Sequence, residues 1–143
     1  MKPIVSKVSG IFIPVTDVRR SAEWYKTVFQ MEVVGCGDDS AGLKFPYGEA
    51  LVGLWKVNSP QPASFESVHG RMPFFNFESF DIERTHRELR TLGVEVTEIR
   101  NDVGGIRFFD CYDPDGHELS IVEELESSPY YEHKQRYKID PDE

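Results

Sequence analysis

The sequence predicts an α+β fold in which one strand-helix-strand-strand-strand module occurs twice. Each half begins with a strand, an aspartate that can cap a helix, and an amphipathic helix; the capping residues are Asp17 and Asp81. Three strand-like segments follow each helix. Aligning the two caps places Gly10 on Phe74, so the halves keep one register, as an internal repeat should.

In the first half, apolar residues alternate along residues 8–15, which is the period of a strand. A helix is predicted over residues 18–29, because its apolar positions recur at helical spacing on one side. Three more strands are predicted over residues 31–36, 41–47 and 49–57, separated by turns rich in glycine and polar residues.

The second half repeats this order. A strand at residues 72–77 precedes a helix at residues 82–92, and Gly93 provides the C-terminal stop of that helix. The remaining predicted strands cover residues 94–99, 106–112 and 118–123. The opposite faces of these strands are expected to differ, with aliphatic side chains on the side covered by the helices.

The predicted organisation is a single domain with a tail, since 143 residues suffice for one buried core. The domain covers residues 1–125, with module one at 7–57, a linker without either period at 58–70, and module two at 71–125. The tail, residues 126–143, carries tyrosines among charges. A short packed helix, a flap over a site, a partner contact and a loosely held terminus all fit that tail.

Composition limits the partners that the chain can have. The net charge of −9 argues against nucleic acid and anionic membranes, both of which need a basic patch. The apolar runs are too short to span a bilayer, and the N-terminus lacks the apolar region of a signal peptide, so we expect a cytoplasmic protein. Cys36 and Cys111 form neither a metal spacing nor a disulfide framework.

Several motifs in a fixed order carry a family resemblance. They are Asp17, Ser21 and Trp24-Tyr25 in the first helical region, Gly93-Val94 after the second helix, and Asp113-Pro114-Asp115-Gly116-His117 before the last strand. With these motifs, residues 7–124 resemble the vicinal oxygen chelate superfamily. That group includes glyoxalase I, extradiol dioxygenases, fosfomycin-resistance transferases and bleomycin-resistance proteins.

The resemblance implies that each module curls into a half-barrel, with the helices outside and a central groove between the halves. The enzymes of the superfamily hold a divalent metal there, through His, Gln or Glu on the first and last strands of each module. The equivalent positions in this chain are Gly10, Gly53, Phe74 and Ser120. Because glycine and phenylalanine offer no side-chain lone pair and a neutral serine hydroxyl is a weak ligand, we expect no metal and no cofactor.

A displaced metal site is an alternative. It would use His69, Glu49 and Glu118, and would need a strand bulge and a rearranged loop. The sequence contains no nucleophile elbow, phosphate loop or dinucleotide fingerprint that would indicate another chemistry. No catalytic residue is therefore assigned.

Strand parity assigns a set of candidate ligand-binding residues to the concave face. They are Phe12, Leu51, Trp55, Phe74, Asn76, Phe108, Asp110, Tyr112, Glu118 and Ser120. Aromatic rings beside carboxylates suit a flat or cationic small molecule, because the rings supply contact area and cation–π attraction. The same aromatic residues could instead pack on one another and fill the groove.

The sequence thus favours a metal-independent protein that binds a small aromatic or cationic organic molecule, in the manner the bleomycin-resistance proteins suggest. The resemblance also implies a homodimer. The alternative is a lyase, isomerase or dioxygenase that uses displaced ligands, or acid–base catalysis by Glu118 or Asp110 with Tyr112. A pure interaction domain is a third hypothesis.

Overall fold

The computed structural model describes residues 3–102 and 104–132. The chain divides into two compact units, Met1–Pro62 and Ala63–Glu143. Among the described residues, no helix is long and apolar enough to cross a membrane. The predicted tail lies outside the described residues from position 133 onward.

The first unit contains one helix and one four-stranded sheet. Its elements are β1 (Gly10–Val15), α1 (Val18–Phe29), β2 (Glu32–Cys36), β3 (Ser40–Lys44) and β4 (Leu51–Lys56). The strand order is β1-β4-β3-β2; β1 runs parallel to β4, and the other neighbours are antiparallel. A parallel pair needs a crossover connection, and α1 lies in that connection.

The second unit repeats this arrangement after a short two-stranded sheet. Its elements are β5 (Ser64–Ser67), β6 (Gly70–Pro73), β7 (Asn76–Glu78), α2 (Ile82–Thr91), β8 (Arg100–Asp102), β9 (Ile106–Tyr112) and β10 (Glu118–Glu124). The four-stranded sheet has the order β7-β10-β9-β8, again with its first strand parallel to its last. The predicted α+β fold with two βαβββ modules is confirmed.

The duplication holds down to residue register. Phe12 of β1 pairs with Gly53 of β4, and Asn76 of β7 pairs with Ser120 of β10 in the same parallel geometry. On the next strand of each sheet, Gly42 pairs with Gly53 and Asp110 pairs with Ser120. A position in one sheet therefore has a defined counterpart in the other.

Both helices begin as predicted. Asp17 has extended backbone geometry and its carboxylate accepts a hydrogen bond from the Arg20 amide at 3.1 Å. Asp81 does the same for the Arg84 amide at 3.2 Å. Each cap satisfies an amide that has no partner inside its helix, which fixes where the helix starts.

Each helix covers one face of its own sheet. The buried apolar residues of the first unit include Ile13, Val15, Val18, Ala22, Tyr25, Leu43, Val52 and Leu54. Those of the second include Phe77, Ile82, Leu89, Phe109, Cys111, Leu119 and Ile121. The burial follows the predicted parity along β4, β9 and the start of β10, so the alternate positions of each sheet form an open face.

The stretch predicted as a linker, residues 58–70, contains regular structure. Residues 64–67 form β5 and pair with β6, around a two-residue turn that contains His69. Gly70 adopts φ +113°, which lets the chain reverse there. The predicted strand at residues 72–77 is correspondingly split, because its first residues pair with β5 and only Asn76–Glu78 pairs with β10.

The predicted strand at residues 94–99 is also wrong. That segment makes one isolated bridge, between Val96 and Cys111, and the regular pairing begins only at Arg100. Thr97 explains the irregularity, because its amide donates to the Asp110 carbonyl at 2.9 Å while its hydroxyl accepts from the Asp110 amide at 2.9 Å. A side chain thus replaces one ladder bond.

The predicted turn before the last strand is confirmed. The Asp113 carboxylate accepts from the amides of Asp115 at 3.0 Å and His117 at 2.8 Å. Gly116 adopts φ +82°, which glycine tolerates without strain. This turn fixes the antiparallel register between β9 and β10.

Candidate functional site

The open face of the first sheet is apolar and aromatic. Phe12 is 66% exposed, Trp55 is 54% exposed and Leu51 is 38% exposed. Strand parity predicted all three to lie on this face, and the register of β1 and β4 brings them onto neighbouring rows. Exposed rings side by side on a sheet offer a contact surface for an apolar or flat group.

Glycines form the floor beneath these side chains. Gly53 of β4 lies between Phe12 on β1 and Gly42 on β3, and Gly42 in turn pairs with Gly35 on β2. A Cβ atom at Gly53 would lie 2.8 Å from Phe12 Cδ1, which is closer than nonbonded atoms approach. The Phe12 ring therefore occupies the space that a side chain at position 53 would need.

The open face of the second sheet is polar. Asn76, Ser120 and Asp110 form one row across β7, β10 and β9. Glu118 and Tyr112 form the adjacent row, in which the Tyr112 hydroxyl donates to Glu118 Oε1 at 3.4 Å. Parity predicted every one of these residues on this face, so the second unit brings most of its predicted site residues together.

Asp110 is an enclosed acid on this face, with a side chain only 13% exposed. Burial raises the pKa of its carboxyl, and the neighbouring charge of Glu118 raises it further. Arg100 and a hydrogen bond from Ser120 oppose that shift. Burial and Glu118 likewise raise the pKa of the Tyr112 hydroxyl, so the phenol keeps its proton at neutral pH.

Arg100 also belongs to this face, although strand parity did not assign it there. Its Nη2 lies 3.2 Å from Asp110 Oδ2, and its Cζ lies 5.0 Å from the centroid of the Phe108 ring. Phe108 was predicted on this face and is half-buried there. A signal did exist: counting back from the turn at Gly104 and Gly105 pairs Arg100 with Phe108, as observed.

Phe74 is the predicted site residue that the structure places differently. It lies at a bend between β6 and β7 and not on a strand. Its ring centroid lies 5.3 Å from that of Phe65 on β5, and its amide is held by the Ala63 carbonyl. Phe74 thus packs with the β5–β6 hairpin, because the strand predicted to carry it is split.

The residues present do not fit the divalent metal that the resemblance implies. At Gly53 the Phe12 ring fills the space of a ligating side chain, and at Gly10 a Cβ would lie 3.0 Å from the Leu51 carbonyl oxygen. Within residues 3–102 and 104–132, no three His, Cys, Asp or Glu side chains form a group that could hold a metal ion.

The structure gives no support either to the alternative metal site of His69, Glu49 and Glu118. His69 is exposed in the hairpin turn. Glu49 bonds to Lys7, whose ammonium lowers the pKa of that carboxyl. Glu118 accepts its hydrogen bond from Tyr112.

A surface cleft of about 450 Å³ lies elsewhere, at the start of α1. Its lining consists of Thr16, Asp17, Val18, Arg19, Asp38 and Lys56. Arg19 pairs with Asp38 at 3.1 Å, so the charged groups within the cleft compensate each other. None of its lining residues belongs to the open faces.

A family model describes most of the chain. Residues 7–121 match the Glyoxalase/Bleomycin resistance protein/Dioxygenase superfamily. This match covers well over half of the sequence and includes both βαβββ modules. The chain therefore belongs to this superfamily.

Solved structures with the same fold include proteins of several descriptions. TnmS3, an antibiotic binding protein from Streptomyces sp. CB03234, aligns with a TM-score of 0.70 at 17% identity, over 86% of this chain and 99% of that chain. The integron cassette protein HFX_CASS4, from the mobile metagenome of Halifax Harbour Sewage Outfall, gives 0.68 at 19% identity, over 83% and 99%.

A glyoxalase family protein from Bacillus anthracis gives a TM-score of 0.67 at 15% identity, over 87% of this chain and 99% of that chain. Identities this low show a shared fold and nothing finer. A search of curated proteins found no match.

Proposed function

We propose that this chain is a metal-independent member of its superfamily that binds a small organic molecule, aromatic or cationic, on its open sheet faces. The observation that carries the proposal is the Phe12 ring over Gly53, because aromatic contact area stands where the resemblance implies a metal ligand. Phe12 and Trp55 keep more than half of their surface exposed, so packing on each other does not bury them and their rings are accessible to a ligand.

The fold relationship to TnmS3 is consistent with this proposal, since that protein is described as antibiotic binding. The polar face of the second sheet supports a cationic ligand, because Asp110 and Glu118 lie there beside the Phe108 ring. Aromatic contact area and directed charge are the two components of small-molecule recognition, and the second face offers both, in the Phe108 ring and the Asp110 carboxylate.

Isothermal titration with three matched probes tests the proposal: 1-naphthylmethylammonium, 1-naphthalenemethanol and 1-naphthoate. We expect saturable binding that a chelator does not change. In an NMR titration, the chemical shift of the Trp55 indole N–H should change as the probe binds. Trp55→Ala and Phe12→Ala should weaken binding by about tenfold each, since each removes a large apolar contact. Trp24→Phe on α1 is the matched control and should leave binding unchanged.

Two results would contradict the proposal. One is the absence of binding for all three probes. The other is tight binding of Zn²⁺, Ni²⁺, Mn²⁺ or Fe²⁺ to the purified protein that is lost when Ser120 is replaced by alanine.

Acid–base catalysis is the second candidate, and one observation favours it. Asp110 has a raised pKa beside the hydrogen-bonded pair of Tyr112 and Glu118, and perturbed acids cluster at catalytic sites. Asp110→Asn and Glu118→Gln would abolish turnover of a substrate under this hypothesis. Under the binding hypothesis they only weaken affinity for a cation.

A homodimer stays a prediction. It gains support from the β5–β6 hairpin, because Phe65, Met72 and Phe74 are exposed there and neighbouring exposed apolar side chains favour association. Sedimentation equilibrium should give a mass near twice 16.4 kDa, and Phe65→Glu should lower it to one chain. A wild-type mass of one chain would contradict the dimer. Cytoplasmic location likewise stays a prediction of the sequence.

A further inference from the structure

Arg100 lies in a site with two features that select cations. Arg100 of β8 is directly opposite Phe108 of β9, and its Cζ lies 5.0 Å from the ring centroid. Its Nη2 also lies 3.2 Å from a carboxylate oxygen of Asp110, two residues further along β9 on the same face. A ring face and a carboxylate together attract a flat cation, whichever molecule carries it.

The two partners are unequally held. The Asp110 side chain is 13% exposed, whereas that of Arg100 is 56% exposed. Arg100 also lies on β8, a three-residue strand at the edge of the sheet. The carboxylate is therefore fixed and largely removed from water, while the guanidinium is at the surface and can rotate away at small cost.

The charges around this pair favour a replacement cation. Glu118 lies on the neighbouring strand, and its charge raises the pKa of Asp110. The charges of Glu118 and Glu95 both raise the pKa of the Tyr112 hydroxyl. If Arg100 swings out, the enclosed carboxylate of Asp110 keeps Glu118 as its charged neighbour. A second cation is then the group that this position needs.

We propose that Arg100 occupies, within the chain, a cation site formed by the Phe108 ring and the Asp110 carboxylate, and that a cationic ligand binds by displacing the Arg100 guanidinium. The inference rests on the proposed function and names the charge of its ligand: a flat ammonium, amidinium or guanidinium compound. Arg100 then competes with the ligand, and its removal raises apparent affinity, because the binding-competent state is no longer a minor fraction.

Titration of Arg100→Gln with the three naphthyl probes tests this inference. We expect 1-naphthylmethylammonium to bind the variant about fivefold more tightly than it binds wild type. A larger gain is not expected, because the Arg100–Asp110 ion pair that competes with the probe is exposed on the arginine side and therefore weak. Binding of the neutral 1-naphthalenemethanol should stay within about twofold. The titrations are run at pH 8, because burial raises the pKa of Asp110 and a higher pH favours the ionised form of its carboxyl.

Two further variants sharpen the test. Arg84→Gln removes an arginine that pairs with Glu88 on the surface of α2, and it should change no affinity. The double variant Arg100→Gln with Asp110→Asn should lose the gain, because the carboxylate that a cation would bind is gone. Circular dichroism at each titration temperature checks that every variant is folded.

The outcomes separate this inference from the proposed function. Unchanged or weaker cation binding in Arg100→Gln, with the neutral probe still bound, overturns the role of Arg100 and leaves the proposed function standing. Loss of 1-naphthoate binding in Arg100→Gln also overturns it, since Arg100 would then recognise anions. Absence of binding for every probe and variant overturns both.

Discussion

The two open faces occupy equivalent positions and have opposite chemistry. The counterparts, first unit before second, are Phe12 and Asn76, Gly53 and Ser120, Gly42 and Asp110, and Leu51 and Glu118. The first face consists of rings and an aliphatic side chain on a glycine floor. The second consists mainly of hydrogen-bonding groups and carboxylates, with the Phe108 ring beside them. A duplicated backbone thus fixes where side chains point, and leaves their chemistry free to diverge.

The difference has an energetic consequence. Apolar groups on the first face gain from any contact that removes them from water, whatever its direction. Polar groups on the second face gain free energy only when a partner forms well-oriented hydrogen bonds with them. An enclosed Asp110 carboxylate without such a partner is destabilising. The first face is therefore suited to undirected apolar contact and the second to directed polar contact. The same contrast appears in other paired positions, which allows matched tests.

The largest contrast concerns the cysteines, one in each unit. Cys36 is exposed, whereas Cys111 is buried and its pKa is raised to about 12, chiefly by burial. At pH 8 the Cys111 thiol keeps its proton and is shielded, so it should react with a disulfide reagent at least about 1000-fold more slowly than Cys36. Absorbance of the released thiolate measures both rates. Cys36→Ser should remove the fast phase, and fast reaction of both thiols would contradict the burial.

The next contrast concerns the turn before the third strand of each module. Gly105 has φ +81°, and a Cβ there would lie 2.5 Å from the Ser128 amide nitrogen. Gly37 in the first unit has only the Ser40 carbonyl oxygen nearby, at 3.7 Å. Gly105→Ala should therefore lower the free energy of unfolding by about 3 kcal/mol, and Gly37→Ala by less than about 0.5 kcal/mol. Urea denaturation measures both, and equal effects would contradict the close packing at Gly105.

The helix caps should behave alike, which tests the similarity of the units. Asp17→Ala and Asp81→Ala each remove an acceptor for an amide at the start of a helix. Each should lower the free energy of unfolding by about 1 kcal/mol, and asparagine at either position should restore most of it. Thermal unfolding followed by circular dichroism gives the values. A cost confined to one helix would show that the two caps are not equivalent.

The smallest effect concerns the glycine floor. Gly53→Ser should cost about 0.5–1 kcal/mol, because Phe12 must move from its position over residue 53. In a Phe12→Ala background the same change should cost nothing, since a strand glycine is otherwise unfavourable. Gly35→Ser is the control, because no atom lies within 4 Å of the Cβ position there. Additive effects at Phe12 and Gly53 would disprove the contact between them.

The repeated module and its caps could be predicted from the sequence because local interactions specify them. Alternation along residues 8–15 gives a strand, and Asp17 and Asp81 start helices by bonding to amides three residues away. Strand parity also predicted the alternate strand positions that the candidate residues occupy, whereas their role in binding stays a prediction. The exception was Phe74, whose strand is split by pairing with the β5–β6 hairpin.

Only the tertiary structure decided the features that depend on neighbours distant in sequence. The Thr97 hydroxyl accepts a hydrogen bond from the Asp110 amide, and this interrupts the regular strand that was predicted at residues 94–99. The Phe12 ring over Gly53 and the Arg100 guanidinium between Phe108 and Asp110 are both cross-strand contacts. Periodicity fixes which face a side chain takes, whereas its partner depends on which strands pair and in what register.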